Sequence, residues 1–159
     1  MLIENLTNRG AIPALVSTAV FTQERHRMIA ENIANIGVPG YKTKHLDVRA
    51  FQQALGKAMD RRGSDPRRPF VVDGGQARTD GQGRLVVKPS RRPPENILFH
   101  DGTNMSVERQ MADLAQNAML HEMTDTIKYR ALVLEAWGAG QKLVSSAGVT
   151  VLFAGPPGT

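Results

Sequence analysis

The sequence predicts a mainly α fold: two long N- and C-terminal helices packed as a coiled-coil-like pair, with a loop-rich middle containing a small β-hairpin. Three observations predict it. Apolar residues recur at spacings of three and four over two long stretches at opposite ends of the chain. Between them, glycines, prolines and arginine doublets interrupt the periodic runs. At 159 residues the chain holds one ordinary domain with a core, but not comfortably two.

The first helix is predicted from Ala11 to Ile36. Ile12, Leu15, Ala19, Thr22, His26, Ile29, Ile33 and Ile36 form a narrow stripe close to a heptad. Gln23, Glu24, Arg25, Arg27 and Glu31 lie on the outer face, and Pro13 falls in the first turn, where a missing amide proton costs nothing. A narrow stripe suits another long helix better than a broad core. The helix runs into "ENIANIGVPGYK". Asn35 can leave the helix, and Gly37 can take the left-handed conformation that satisfies the last carbonyls. Val38 precedes proline and is held extended, and Pro39–Gly40 fit the central positions of a type II turn. Tyr41 follows directly after the bend.

In the middle, "KTKHLDVRAF" reads as extended and "AFQQALGKAM" as a short helix, with an open linker over residues 60–69. "PFVVD" and "RLVVK", separated by "GGQARTDGQG", predict the hairpin. "PSRRPPEN" is a loop and "ILFH" a short strand. The second long helix is expected from Ser106, its cap, to about Trp137, with Glu108 suiting the positive end. Val107, Met111, Leu114 and Ala118 form its stripe, which drifts on through Leu120, Met123, Ile127, Ala131 and Leu134, and Gly138 and Gly140 end it. For "KLVSSAGVTVLFAGPPGT" the pattern leaves strand and unstructured tail both open. The organisation is therefore an N-terminal helix and motif over 1–56, a basic loop-rich insert over 57–99, a C-terminal helix packing on the first over 100–140, and a tail over 141–159. Neither stripe is satisfied alone, so the helices pack on each other, on neighbouring subunits, or both.

The formal charge of +5 is uneven. Residues 57–92 hold ten Lys/Arg against four Asp/Glu, whereas residues 93–159 hold four against seven. The doublets Arg61–Arg62, Arg67–Arg68 and Arg91–Arg92 could contact nucleic acid, the alternative function carried forward, although no aromatic residues interleave with them to stack on bases. With no cysteine, disulfides, thiol catalysis and cysteine-ligated zinc are excluded. The start of the chain is a poor cleavable signal, because Glu4 comes early and no basic residue leads into an apolar run. "HEMTD" lacks the second histidine of a zinc helix, "GQGRLV" lacks the third glycine of a dinucleotide loop, and no GxSxG elbow or paired carboxylates are found. The reading is of a non-enzyme with no cofactor, no metal and no small-molecule substrate.

Two separate motifs then carry a resemblance. "RHRMIAENIANIGVPGYKTKHLDVRAFQQAL" resembles the N-terminal region of the bacterial flagellar basal-body rod proteins, whose motif reads roughly Asn-[Leu/Ile]-Ala-Asn-x-x-[Thr]-Pro-Gly-Tyr-[Lys]. The matching residues are Asn32, Ile33, Ala34, Asn35, Pro39, Gly40, Tyr41 and Lys42. Phe51 and Gln52, followed by Leu55, are similar to the proximal-rod type. At the other end, Asp101, Gly102, Asn104, Met111, Leu114, Ala115 and Asn117, with "KYRALVLEAW", resemble the run around the C-terminal helix of that type. The likeness covers about residues 11–56 and 100–137. Val38 stands where the family has threonine or serine, and Ser106–Val107–Glu108 replaces a more acidic helix start.

The resemblance implies a structural subunit of the proximal rod. Its terminal helices would assemble with neighbouring subunits into a tube that transmits rotation and surrounds the export channel. Implied partners are other flagellar rod proteins, MS-ring and export-gate proteins, and neighbouring copies. The implied location is the periplasmic rod of the basal body, reached through the flagellar export apparatus without a cleaved signal. On this reading Asn32, Ala34, Asn35, Pro39, Gly40 and Tyr41 form the motif and bend, and Ile29, Ile33, Met111, Leu114 and Ala118 are the assembly positions.

Overall fold

In the computed structural model, residues 10–63, 65, 67–91 and 107–146 are described, the last eight as backbone only. Ser106 as a cap, the "ILFH" strand, the Asp101–Gly102–Asn104 match and the chain after Ser146 lie outside these residues.

Helix α1 spans Ile12–Ala34, with Pro13 in its first turn and no side-chain cap at Ala11. It ends on Asn35, at φ −104, whose side-chain amide donates to the Glu31 carbonyl at 2.7 Å. Gly37 does not take the left-handed conformation expected of it. The chain instead descends through tight turns, Ile36 N–H to Ile33 O at 3.3 Å and Val38 N–H to Asn35 O at 3.0 Å. These bonds satisfy the last carbonyls without a positive φ. The bend proper follows: Tyr41 N–H donates to Val38 O at 3.1 Å and Gly40 sits at φ 74, the requirement of a type II turn at its third position.

Helix α2, Val48–Arg62, is capped by Asp47, whose carboxylate accepts from Ala50 N–H at 2.9 Å. It runs into the segment expected to be an open linker and stops at Gly63, at φ 57. Nothing before Gly63 breaks it, and Arg61 and Arg62 sit well at a helix C-terminus.

Three strands follow as an antiparallel meander in the order β1 (Asp73–Gly74), β2 (Ala77–Thr79) and β3 (Leu85–Val87). The sequence reading assigned "GGQARTDGQG" to a turn, but its centre is β2. Gly74 pairs with Ala77, and Thr79 with Leu85. Asp80 builds the second turn, its Oδ1 accepting from Gln82 N–H and Arg84 N–H, both at 2.9 Å. Those backbone donors, Arg84's first, hold its carboxyl below the usual carboxylate range.

The core lies between α1, α2 and the sheet. Phe21 and Phe51 stack with ring centroids 4.0 Å apart, surrounded by Met28, Ile29, Leu46, Ala54, Ala58, Val72 and Ala77. Gly74 permits the approach of β1 to α2, since a Cβ there would stand 2.6 Å from the Ala54 Cβ. The extended segment after the bend joins the sheet side by a bridge between His45 and Ser90. Gln76 ties that bridge down, donating to His45 O and Ser90 Oγ and accepting from Asp47 N–H, each at 2.8 Å.

Helix α3, Val107–Ser146, is 40 residues long and continues through Gly138 and Gly140, which were expected to stop it. A mid-helix glycine costs only about 1 kcal/mol relative to alanine, and no proline occurs between Val107 and Ser146 to forbid the next turn. It packs along α1. The pairings Asn32–Gln110, Arg25–Asp113 and Thr22–His121 make the two helices antiparallel.

Candidate functional site

The motif is a physical unit. Asn32, 1% exposed, lies on the inner face of α1. Its Nδ2 donates to Lys44 O at 2.9 Å, and its Oδ1 accepts from Lys44 N–H at 2.9 Å and from Tyr41 O–H at 3.2 Å. One side chain therefore imitates a strand partner for the returning chain and fixes Tyr41 after the bend. Lys44 Nζ adds an ion pair with Glu31, whose carboxyl is held low mainly by that hydrogen bond. Burial raises the Tyr41 hydroxyl pKa, so it stays a neutral donor. Ala34, Pro39 and Gly40 are exposed, on the outside of the bend.

The five assembly positions separate. Ile29 belongs to the chain's own core, and Ile33 and Leu114 pack against it. Ala118 is exposed, and Met111 is 56% exposed. Beyond Leu114, the face of α3 turned to α1 is built from polar residues. Asn117, fully buried, donates from Nδ2 to Thr22 O at 2.8 Å and accepts from Arg25 at 3.4 Å. Beside it Arg25 pairs with Asp113 at 3.5 Å, and Thr22 Oγ1 meets His121 Nδ1 at 2.8 Å.

With that face occupied, the apolar residues of α3 stand beside it. Leu120, Met123, Ile127 and Leu134 recur at intervals of three, four and seven, which places them on one flank. They are 40%, 60%, 49% and 56% exposed, over about 21 Å of helix. The drift in the predicted stripe was thus two faces read as one. The polar line Gln110, Asn117 and Thr124, seven residues apart, was the sequence signal for the inner face. Phe21 and Met28, also seven apart, were missed on α1, while His26 of the predicted stripe is exposed.

The basic middle offers less free charge than its composition suggests. Arg68, Arg78 and Arg84 pair with Asp65, Asp73 and Asp80 at 3.8, 3.4 and 3.1 Å. Arg61 donates to the Lys57 and Val71 carbonyls, and Arg62 is buried. Among the described residues no cluster of three His, Asp or Glu side chains could hold a metal ion, and no helix is long and apolar enough to cross a membrane.

In comparison with known proteins, the chain is 31% identical over 109 residues to the flagellar basal body rod protein FlgB of Borrelia hermsii, covering 65% of this chain and 76% of that protein. No family model matches the chain, and no solved structure matches it.

Proposed function

The chain belongs to the FlgB family of flagellar basal body rod proteins, and from that premise we propose that it builds the proximal rod through the apolar flank of α3. Its role is that of a structural rod component. We infer further that the helix pairs of neighbouring subunits stack into a tube that carries rotation and encloses the export channel. The partners proposed are other rod proteins, the MS ring and the export gate, together with copies of this chain. The site of action proposed is the periplasm, reached through the flagellar export apparatus.

The observation that carries the reading is the heptad-spaced flank Leu120–Met123–Ile127–Leu134, apolar and uncovered by the chain's own α1. An exposed row of this kind suits a helix from another subunit. The motif bend has a matching part in the reading: the Asn32–Lys44 clamp sets the direction in which the chain leaves α1 and keeps the middle segment clear of the flank. Nucleic-acid binding is not favoured, since arginines of the basic segment are engaged by neighbouring aspartates and carbonyls.

The chain has no native cysteine, so crosslinking is a clean test. Met123→Cys and Ile127→Cys should each give disulfide-linked or bismaleimide-linked species with neighbouring subunits in isolated basal bodies. Cysteines that stay monomeric there, in rods that assemble normally, would remove the α3 flank from the assembly.

A further inference from the structure

We propose that Asn117, seconded by Asn32, determines the register of the α1–α3 pair, admitting one alignment of the helices and rejecting those one turn away. The inference does not depend on the rod role, because it concerns the single chain.

Three observations carry it. First, among the described residues Asn117 and Asn32 are the largest polar side chains buried to 1% exposure or less, and both reach across between α1 and α3. Second, the bonds of Asn117 cross the helix pair and are directional. Its Nδ2 reaches Thr22 O at 2.8 Å, a backbone atom fixed in height along α1, and its Oδ1 accepts from Arg25, one turn further along. Asn32 reaches Gln110 from the other side at 3.5 Å, near the limit for a hydrogen bond. Third, the other directional contacts across the pair, Arg25–Asp113 and Thr22–His121, end on the part-exposed Asp113 and His121, which water can satisfy after a shift, whereas Asn117 is fully buried. The apolar contact that α3 makes through Leu114 is non-directional and nearly as favourable after a shift.

Sliding α3 by one turn displaces it by about 5.4 Å. That carries the Asn117 amide from Thr22 O to Thr18 O, which already accepts from the Thr22 hydroxyl, or to His26 O on the other side. In either case it takes the Asn117 Oδ1 away from Arg25, so a buried bond is lost. A buried polar residue in a helix seam is a known device for fixing register. The polar line Gln110–Asn117–Thr124 puts such residues at one heptad position, but only Asn117 among the three is bonded at 2.8 Å to the opposite backbone. The apolar flank of α3 has no such residue at 120, 123, 127 or 134. The polar face therefore identifies α3's own α1 as its partner on that side.

The test uses spin labels on the full chain at Ala30→Cys and Glu122→Cys, both exposed and at different heights along the pair. A one-turn slide then changes the label separation by about 4 Å. In the parent a single narrow distance is expected. In Asn117→Leu the helical signal and melting temperature should be kept or raised, while the distribution splits or broadens by about that shift. Asn117→Ala, smaller and less able to overfill the site, should melt earlier and broaden in the same way. A single parental distance in either folded variant overturns the proposal. So does loss of helical signal in both variants, which would make the amide a stabilising group rather than one that chooses the register.

Discussion

Asn32 and Lys44 are joined by a reciprocal pair of hydrogen bonds, Nδ2–H to the Lys44 carbonyl and Lys44 N–H to Oδ1, both at 2.9 Å. Twelve residues separate them, and the whole bend lies between. The bend is therefore closed by a side chain on the helix it leaves, and the turn residues only make the closure sterically possible.

Removing that side chain should loosen the bend. Asn32→Ala leaves the Lys44 backbone groups and the Tyr41 hydroxyl without their partner, and a lost buried bond costs about 1–3 kcal/mol. Urea denaturation should show a lower midpoint with an unchanged slope. Tyr41→Phe removes one bond of 3.2 Å and should cost about 1 kcal/mol or less. Equal stability of Asn32→Ala and the parent would mean that the clamp does not hold the chain.

Gly40 tests the turn itself. At φ 74 a β-branched residue is strained, and nothing lies within 4 Å of the Cβ position, so the cost is entirely backbone. Gly40→Val should destabilise the bend by about 1–2 kcal/mol, and Gly40→Asn by clearly less. Rod assembly should suffer more than expression or export. Normal motility of Gly40→Val cells would detach the bend from assembly.

Gly74 is constrained for the opposite reason, space. Gly74→Ala places a methyl 2.6 Å from the Ala54 Cβ and forces β1 away from α2. Overpacking of this kind costs about 1–3 kcal/mol. Adding Ala54→Gly should recover part of the loss despite its own helix penalty. A fully additive double mutant would show that the two residues do not meet.

The positions on the helices should now give different phenotypes. Ile33→Asp places a carboxylate against the core and should unfold the chain or leave little of it soluble. Ile127→Asp and Ala118→Asp fall on exposed positions and should leave the monomer's melting temperature within about 2 °C. Ile127→Asp should nevertheless abolish incorporation into rods. Wild-type motility in that variant would count directly against the α3 flank.

Acid should weaken the fold in a defined direction. Glu31, Asp80 and Asp125 are each held below the ordinary carboxylate range, Glu31 and Asp125 first by lysine hydrogen bonds and Asp80 first by backbone donors. A carboxylate depressed in the folded state contributes its stability above its unfolded pKa, near 4, and loses it as pH falls through the lower folded value. Melting temperature should therefore drop as pH falls below about 4. The drop should be shallower in Lys44→Met, where Glu31 loses its partner. An identical acid profile in that variant would exclude the Glu31–Lys44 pair as a contributor.

Much of this protein was legible in the sequence because its determinants are local. The extent of α1 follows from a stripe of spacing three and four with proline in the first turn, and the bend follows from Pro39–Gly40, whose preferences hold in any protein. The motif residues and the rod family were equally readable, since they lie in contiguous runs. Only the tertiary structure decided which faces meet. The periodicity of α3 shows apolar and polar residues at helical spacing, but not that its polar line Gln110–Asn117–Thr124 turns inward. That choice depends on Thr22 and Arg25, some 90 residues away, offering bonds that hydrophobic contact cannot replace. Ile29 likewise reads as an assembly position until Phe51, from the expected short helix, and Val72, from the expected hairpin, join it in one core. Which residues are left outside is what remains after those long-range contacts have been made.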